Sequence, residues 1–132
     1  MSNVAIDDAT NWFEGATELW DLNGDWNTST YTYTAPVTGK YHLHARLQMQ
    51  QTDQAGANQL VFYTSNVNSI WVESFGANMF ENDGQRVYHG TVIMDMDAND
   101  TAKFRFYQGG GTQQADINDG QAVSAVSGYL IH

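Results

Sequence analysis

The sequence predicts an all-β domain of two packed antiparallel sheets, as a sandwich, jelly roll or barrel. Three observations lead there. From Thr28 onward apolar residues recur at every second position rather than every third or fourth. Segments rich in Gly, Asn, Asp and Gln interrupt that alternation repeatedly. A length of 132 residues offers one core's worth of chain. Seven or more short strands with spaced turns in such a length suit a sandwich or barrel. No internal repeat stands out, which sets aside a propeller or solenoid. Gly109-Gly110-Gly111 reads as a loop within the fold, so residues 1–132 form a single domain.

Residues 11–22 contain helix formers, but Gly15, Thr17 and three aromatics argue against a helix. Residues 31–34 put Tyr31 and Tyr33 on one face and Thr32 and Thr34 on the other. The only Pro, Pro36, and the turn residue Gly39 then break the strand. Residues 41–50 are the clearest half-buried strand: Tyr41, Leu43, Ala45, Leu47 and Met49 share one face, His42, His44, Arg46, Gln48 and Gln50 the other. Further strands are expected at 59–64, 69–75, 86–95, 102–108 and 122–131, with loops at 51–58, 76–84, 97–100 and 109–120. Leu43, Leu47, Leu60, Phe62, Val92, Phe104, Phe106 and Leu130 are the expected core.

Asn, Gln, Ser and Thr total 40 residues against 20 charged ones, so solubility rests on amides and hydroxyls. The charge balance is one-sided, 15 Asp and Glu against five Lys and Arg, a net of -10. Lys40, Arg46, Arg86, Lys103 and Arg105 are isolated from one another in sequence. Phosphate binding needs clustered cations, so nucleic acid and anionic membrane surfaces are excluded as partners. No apolar run approaches the roughly 20 residues of a membrane-spanning helix, and residues 1–10 show no signal peptide. The absence of Cys removes disulfides, thiolate metal sites and thiol nucleophiles together.

No nucleophile elbow, paired-His zinc motif or Gly-rich phosphate loop is present, and no enzyme is expected. Glu73 and Glu81 are the one carboxylate pair weighed as a glycosidase acid and base, but a single small sandwich leaves little room for a cleft. Residues 95–100 alternate oxygens like a calcium loop. Asp100, however, stands where Gly makes the sharp turn, and Phe106 where the bidentate Glu belongs. Asp21, Asn23 and Asp25 cluster oxygens around Gly24. Both segments suit either a divalent cation or an Asx-type turn with solvated carboxylates. Trp12, Trp20, Trp26 and Trp71 suit burial or a sugar platform. Trp71, beside loop 76–84, heads the candidate ligand residues, with Asn78, Asp83, Gln113 and Gln114 in the flanking loops. His42-Leu43-His44 sets two imidazoles on one side of a strand, away from Leu43 and Leu47.

Three segments resemble one family. They are TYTYTAPVTGKY at 30–41, DMDANDTAKFRFYQ at 95–108, and VSAVSGYLI at 123–131. Together they are similar to the complement C-one-q globular head of the tumour-necrosis-factor-like jelly-roll superfamily. The Asn- and Gln-rich character, with DLNGDWN at 21–27, looks most like bacterial and phage members. The resemblance covers the whole chain and is weakest over 56–84.

It implies a jelly-roll β-sandwich assembling as a homotrimer, with a first strand at 4–8 and a strand end and hairpin turn at 95–100. It also implies a binding or structural head without catalysis. Candidate trimer-interface residues are Tyr41, His42, His44, Arg46, Tyr107 and Tyr129, with Tyr41 and Tyr129 suited equally to the core. Three copies would bring together six imidazoles from His42 and His44, a donor set for a divalent transition ion and similar to the iron-binding pair of some trimeric phage fibres and spikes. The expected setting is a virion surface, as a capsid decoration protein or a tail-fibre tip, with capsid proteins, fibre proteins or host glycans as partners. The chain starts almost at its first expected strand, which fits an excised head or a stalkless decoration protein. The alternative is a free-standing lectin-like module, extracellular or on a bacterial surface. Copies each carrying -10 repel, so buried area or bound cations must outweigh that repulsion.

Overall fold

The structure, a computed structural model, describes residues 3–5, 23–50, 57–67, 70–75, 86–109, 114–117 and 124–131. Every regular element among them is a strand: β1 (Asn3–Ala5), β2 (Trp26–Asn27), β3 (Thr32–Thr34), β4 (Gly39–Gln50), β5 (Ala57–Thr64), β6 (Ile70–Phe75), β7 (Arg86–Met96), β8 (Thr101–Gly109), β9 (Gln114–Ile117) and β10 (Ala125–Leu130). They make two five-stranded antiparallel sheets, a jelly-roll sandwich. In the first, β4 is flanked by β7 from Gly39 to Met49. On its other side lies β10, opposite residues 41–46, and then β9, which carries β1. The second runs β2-β3-β8-β5-β6.

The alternation drives this arrangement. Tyr41, Leu43, Ala45, Leu47 and Met49 of β4 are all buried, as are Leu60 and Phe62 of β5 and Phe104 and Phe106 of β8. Aromatic rings lock the sheets together edge to face, the geometry their quadrupoles favour. Tyr88 of β7 meets Phe106 at 4.8 Å, and Tyr33 of β3 meets Tyr41 at 5.8 Å, each across the sandwich. Within the second sheet, Phe62 and Phe104 are register partners 4.2 Å apart.

The departures from expectation have physical causes. Leu130 is 43% exposed because β10 has no strand beyond it among the described residues. Val92 is only partly buried against the core. The short strand β9 falls inside the stretch expected as loop 109–120, and β2 was not anticipated. Residues 97–100 are not a hairpin turn: β7 belongs to the first sheet and β8 to the second, so this corner carries the chain across the sandwich. Asp100 N–H donates to the Asp97 carbonyl (2.9 Å), and Asn99 takes a φ of 75°, which Asn tolerates at such a corner. Residues 35–38 cross in the opposite sense. The two corners are tied by Ala35 N–H to the Asp100 carbonyl and Asn99 N–H to the Ala35 carbonyl, both 2.8 Å.

Candidate functional site

The outward face of the first sheet collects most of the candidate interface residues. Since β4 buries its odd-numbered side chains, it presents Lys40, His42, His44, Arg46 and Gln48 on the far side. Pairing with β7 and β10 extends these into rows across three strands. His42 lies between Ile93 and Tyr129, His44 between Thr91 and Ser127, and Arg46 between His89 and Ala125. His42 and Tyr129 stack with centroids 4.8 Å apart and planes 27° apart. His42 Nδ1 is buried and meets no hydrogen-bond acceptor or donor among the described residues. Ile93 is 65% exposed and Tyr129 58% exposed, so a large aliphatic and a large aromatic surface flank this imidazole.

The electrostatics of the face are unlike those of the chain as a whole. Across β4, β7 and β10 its one described carboxylate is Asp95, at the end of the face, and that is paired with Lys40 at 2.6 Å. Burial, helped by the neighbouring His42, Arg46 and His89, holds the His44 imidazole below its ordinary value of 6.5. His89 and Ile93 escaped the sequence analysis. Their outward positions were readable from the alternation in β7, but not which residues of β4 they would face.

Two of the candidate interface residues do not lie on this face. Tyr41 is fully buried in its own core, where its hydroxyl is bonded to Val37. Tyr107 belongs to β8 of the second sheet, on the opposite broad face, because Phe104 and Phe106 take the inward positions of that strand. There the Arg105 guanidinium sits 4.7 Å from the Tyr63 ring centroid and 5.7 Å from that of Tyr107.

The oxygen-rich segment 95–100 is occupied with holding the corner. Asp100 accepts from Asp97 N–H (2.7 Å), Ser65 Oγ (2.8 Å) and Asn66 Nδ2 (2.5 Å), tying its own corner to the segment that follows β5. These bonds hold its carboxyl below the usual carboxylate range, the Asp97 amide contributing most. A shallow cleft of about 160 Å³ beside it is lined by Thr38, Gly39, Asn66, Asp95, Met96 and Asp97. Among the described residues, no three His, Asp or Glu side chains converge to hold a metal. Asn23 Nδ2 donates to Asp25 Oδ2 at 3.4 Å, turning one of those oxygens toward its neighbour. Trp26 packs partly buried against the core.

Asp21, Trp12, Trp20, Asn78, Glu81, Asp83 and Gln113 lie outside the described residues, as do the side chains of Trp71, Glu73 and Gln114. Among the described residues no helix is long and apolar enough to cross a membrane.

No family model and no curated protein matches the chain. Solved structures do. The globular domain of zebrafish Complement 1qA protein matches with a TM-score of 0.68 and 14% identity, over 100% of this chain and 92% of that one. The structure of Eiger TNF from S. frugiperda matches with a TM-score of 0.67 and 10% identity, over 99% of this chain and 85% of that one. The chain has the complement-head and tumour-necrosis-factor-like jelly-roll fold.

Proposed function

We propose that this protein is a non-enzymatic binding or structural head that works as a homotrimer, its copies joined through the outward face of β4, β7 and β10. One observation carries the reading: in a chain of net charge -10, this face pairs exposed Ile93 and Tyr129 with His42, His44, Arg46 and His89, and its single described carboxylate is neutralised by Lys40. Copies that repel everywhere else can approach through such a face, because apolar area is buried there without bringing carboxylates together. The fold shared with complement and tumour-necrosis-factor heads supports the same reading. Analytical ultracentrifugation at neutral pH is the test. A mass near three times 14.7 kDa supports the proposal, and a 14.7 kDa species at working concentration overturns it.

The setting we favour is a virion surface, as capsid decoration or a fibre tip, with self and capsid or fibre proteins as partners. It is supported by the resemblance of segments 30–41, 95–108 and 123–131 and by the Asn- and Gln-rich composition. Immunogold labelling of intact particles tests it: decorated heads or fibre ends support it, and particles without label overturn it. Glycan binding by the isolated trimer, with no particle association, would favour the lectin-like alternative.

A further inference from the structure

Among the described residues, three take a left-handed backbone: Gly24 at a φ of 72°, Tyr31 at 52° and Asn99 at 75°. Gly has no Cβ to clash and Asn tolerates the region, so two of the three follow the rule. Tyr31 breaks it. A bulky side chain at positive φ crowds its Cβ against the following carbonyl, and such strain persists only where neighbours fix the backbone. Here they do, at the tip of the β2–β3 hairpin. Asn27 Oδ1 accepts from Ser29 N–H (2.9 Å) and Thr30 N–H (3.0 Å), and Thr32 Oγ1 donates to the Thr30 carbonyl at 2.9 Å.

The other tyrosine rings all have contacts within the protomer. Tyr33 meets Tyr41, Tyr88 meets Phe106, Tyr129 stacks on His42, and Tyr63 and Tyr107 flank Arg105. Tyr31 has no ring contact and no side-chain hydrogen bond with a described residue, and it is half-buried, so part of its surface reaches solvent. Its surroundings are exposed and polar: Asn27, Thr28, Ser29 and Thr30 all face water. In a chain of net charge -10, no residue from Trp26 to Gly39 is charged. β2 is also the outermost strand of the second sheet, so closing a seam on the first sheet leaves this tip open.

We propose that the β2–β3 tip is a contact site for an uncharged saccharide, with the Tyr31 ring against the C–H face of a sugar and the hydroxyls of Thr28, Ser29 and Thr30 meeting its hydroxyls. The residue types set the ligand class. An aromatic face matches the apolar side of a pyranose, and short hydroxyl side chains both donate and accept. A charged ligand would lose hydration here with no opposite charge from Trp26 to Gly39 to replace it. The strained residue is kept because Gly or Asn, which would relax the turn, offers no ring. A tip already fixed by Asn27 and Thr32 also lowers the ordering cost of binding. The inference rests on the reading of the protein as a binding head and is independent of its seam.

Saturation-transfer NMR on the intact chain tests it, with the methyl glycosides of glucose, galactose, mannose and N-acetylglucosamine as probes and methyl glucuronide as their charged counterpart. Transfer to the ring C–H protons of at least one neutral glycoside is expected. Tyr31→Asn should abolish that transfer while its urea midpoint stays at or above the wild type, since the turn is relieved of strain. Tyr31→Phe keeps ring and strain and should retain the transfer, as should Tyr107→Ala on the broad face of the same sheet. No transfer to any neutral glycoside, or transfer to the glucuronide alone, overturns the proposal. So does transfer that survives Tyr31→Asn, or that is lost equally in Tyr31→Phe or Tyr107→Ala. A Tyr31→Asn chain that is less stable than the wild type, or fails to fold, shows that the ring serves the fold and overturns it too. A monomer in sedimentation overturns the seam reading alone, a distinct outcome.

Discussion

Tyr41 and Val37 close a two-bond ring at the crossing between the sheets: the Tyr41 hydroxyl donates to the Val37 carbonyl at 2.6 Å and accepts from the Val37 N–H at 3.3 Å. A side chain buried to its full length in the core thereby holds the backbone of the corner that precedes its own strand. Tyr41→Phe keeps the ring and its contact with Tyr33 but removes both bonds. The expected loss is about 1 kcal/mol, the usual net worth of such bonds, read as a lower midpoint in urea with the slope unchanged.

Asp100 gathers the loops at the same end. Its carboxyl is held below the usual value of 3.8, first by the Asp97 amide and then by Ser65. A depressed carboxylate contributes stability that is present above its ordinary value and lost as the pH falls through the lowered one. Asp100→Asn should therefore lower the thermal midpoint at pH 7, and the gap from the wild type should close in strong acid. A gap of equal size across that range would show that charge plays no part in the corner.

The two broad faces should respond differently to substitution. Ile93→Asp changes a side chain that is 65% exposed in one copy, so protomer stability should move by no more than about 0.5 kcal/mol. Association should weaken by about 2 kcal/mol, near thirtyfold, if Ile93 is a central contact. Tyr107→Ala, on the opposite face, should leave the oligomer intact. Sedimentation equilibrium of both variants separates the faces, and equal effects would count against the seam.

Gly128 lies opposite Leu43 in the β10–β4 register, and a Cβ there would stand 2.8 Å from Leu43 Cδ2. Leu43 is 1% exposed and cannot swing away freely. Gly128→Ala should cost about 1–3 kcal/mol by overpacking. In a Leu43→Ala background the penalty should shrink, and a thermal-melt double-mutant cycle measures that coupling.

The strand pattern was legible where one face is dry and the other wet. In β4 every odd position from Tyr41 to Met49 is apolar and buried, and the expected span 41–50 differs from the observed strand only at its start. In β10 the pattern misled, because Gly128 takes a core-side position and Leu130 lies on a strand with no further neighbour among the described residues. The resemblance implied a hairpin at 97–100, and the turn residues there could not correct it, because turn chemistry carries no information about which sheet receives the next strand.

What the amino-acid order decided alone is therefore the parity of each strand: that His42, His44 and Arg46 point away from Leu43 and Leu47. Only the tertiary structure decided which residues share a row, setting Tyr129 and Ile93 beside His42, His89 beside Arg46, and Tyr107 on the other face. The reason is the period of two. Sliding one strand past another by two residues preserves every inward and outward assignment, so register is chosen by the fit of Gly128 under Leu43, by the rings joining the sheets, and by corners tied through Asp100.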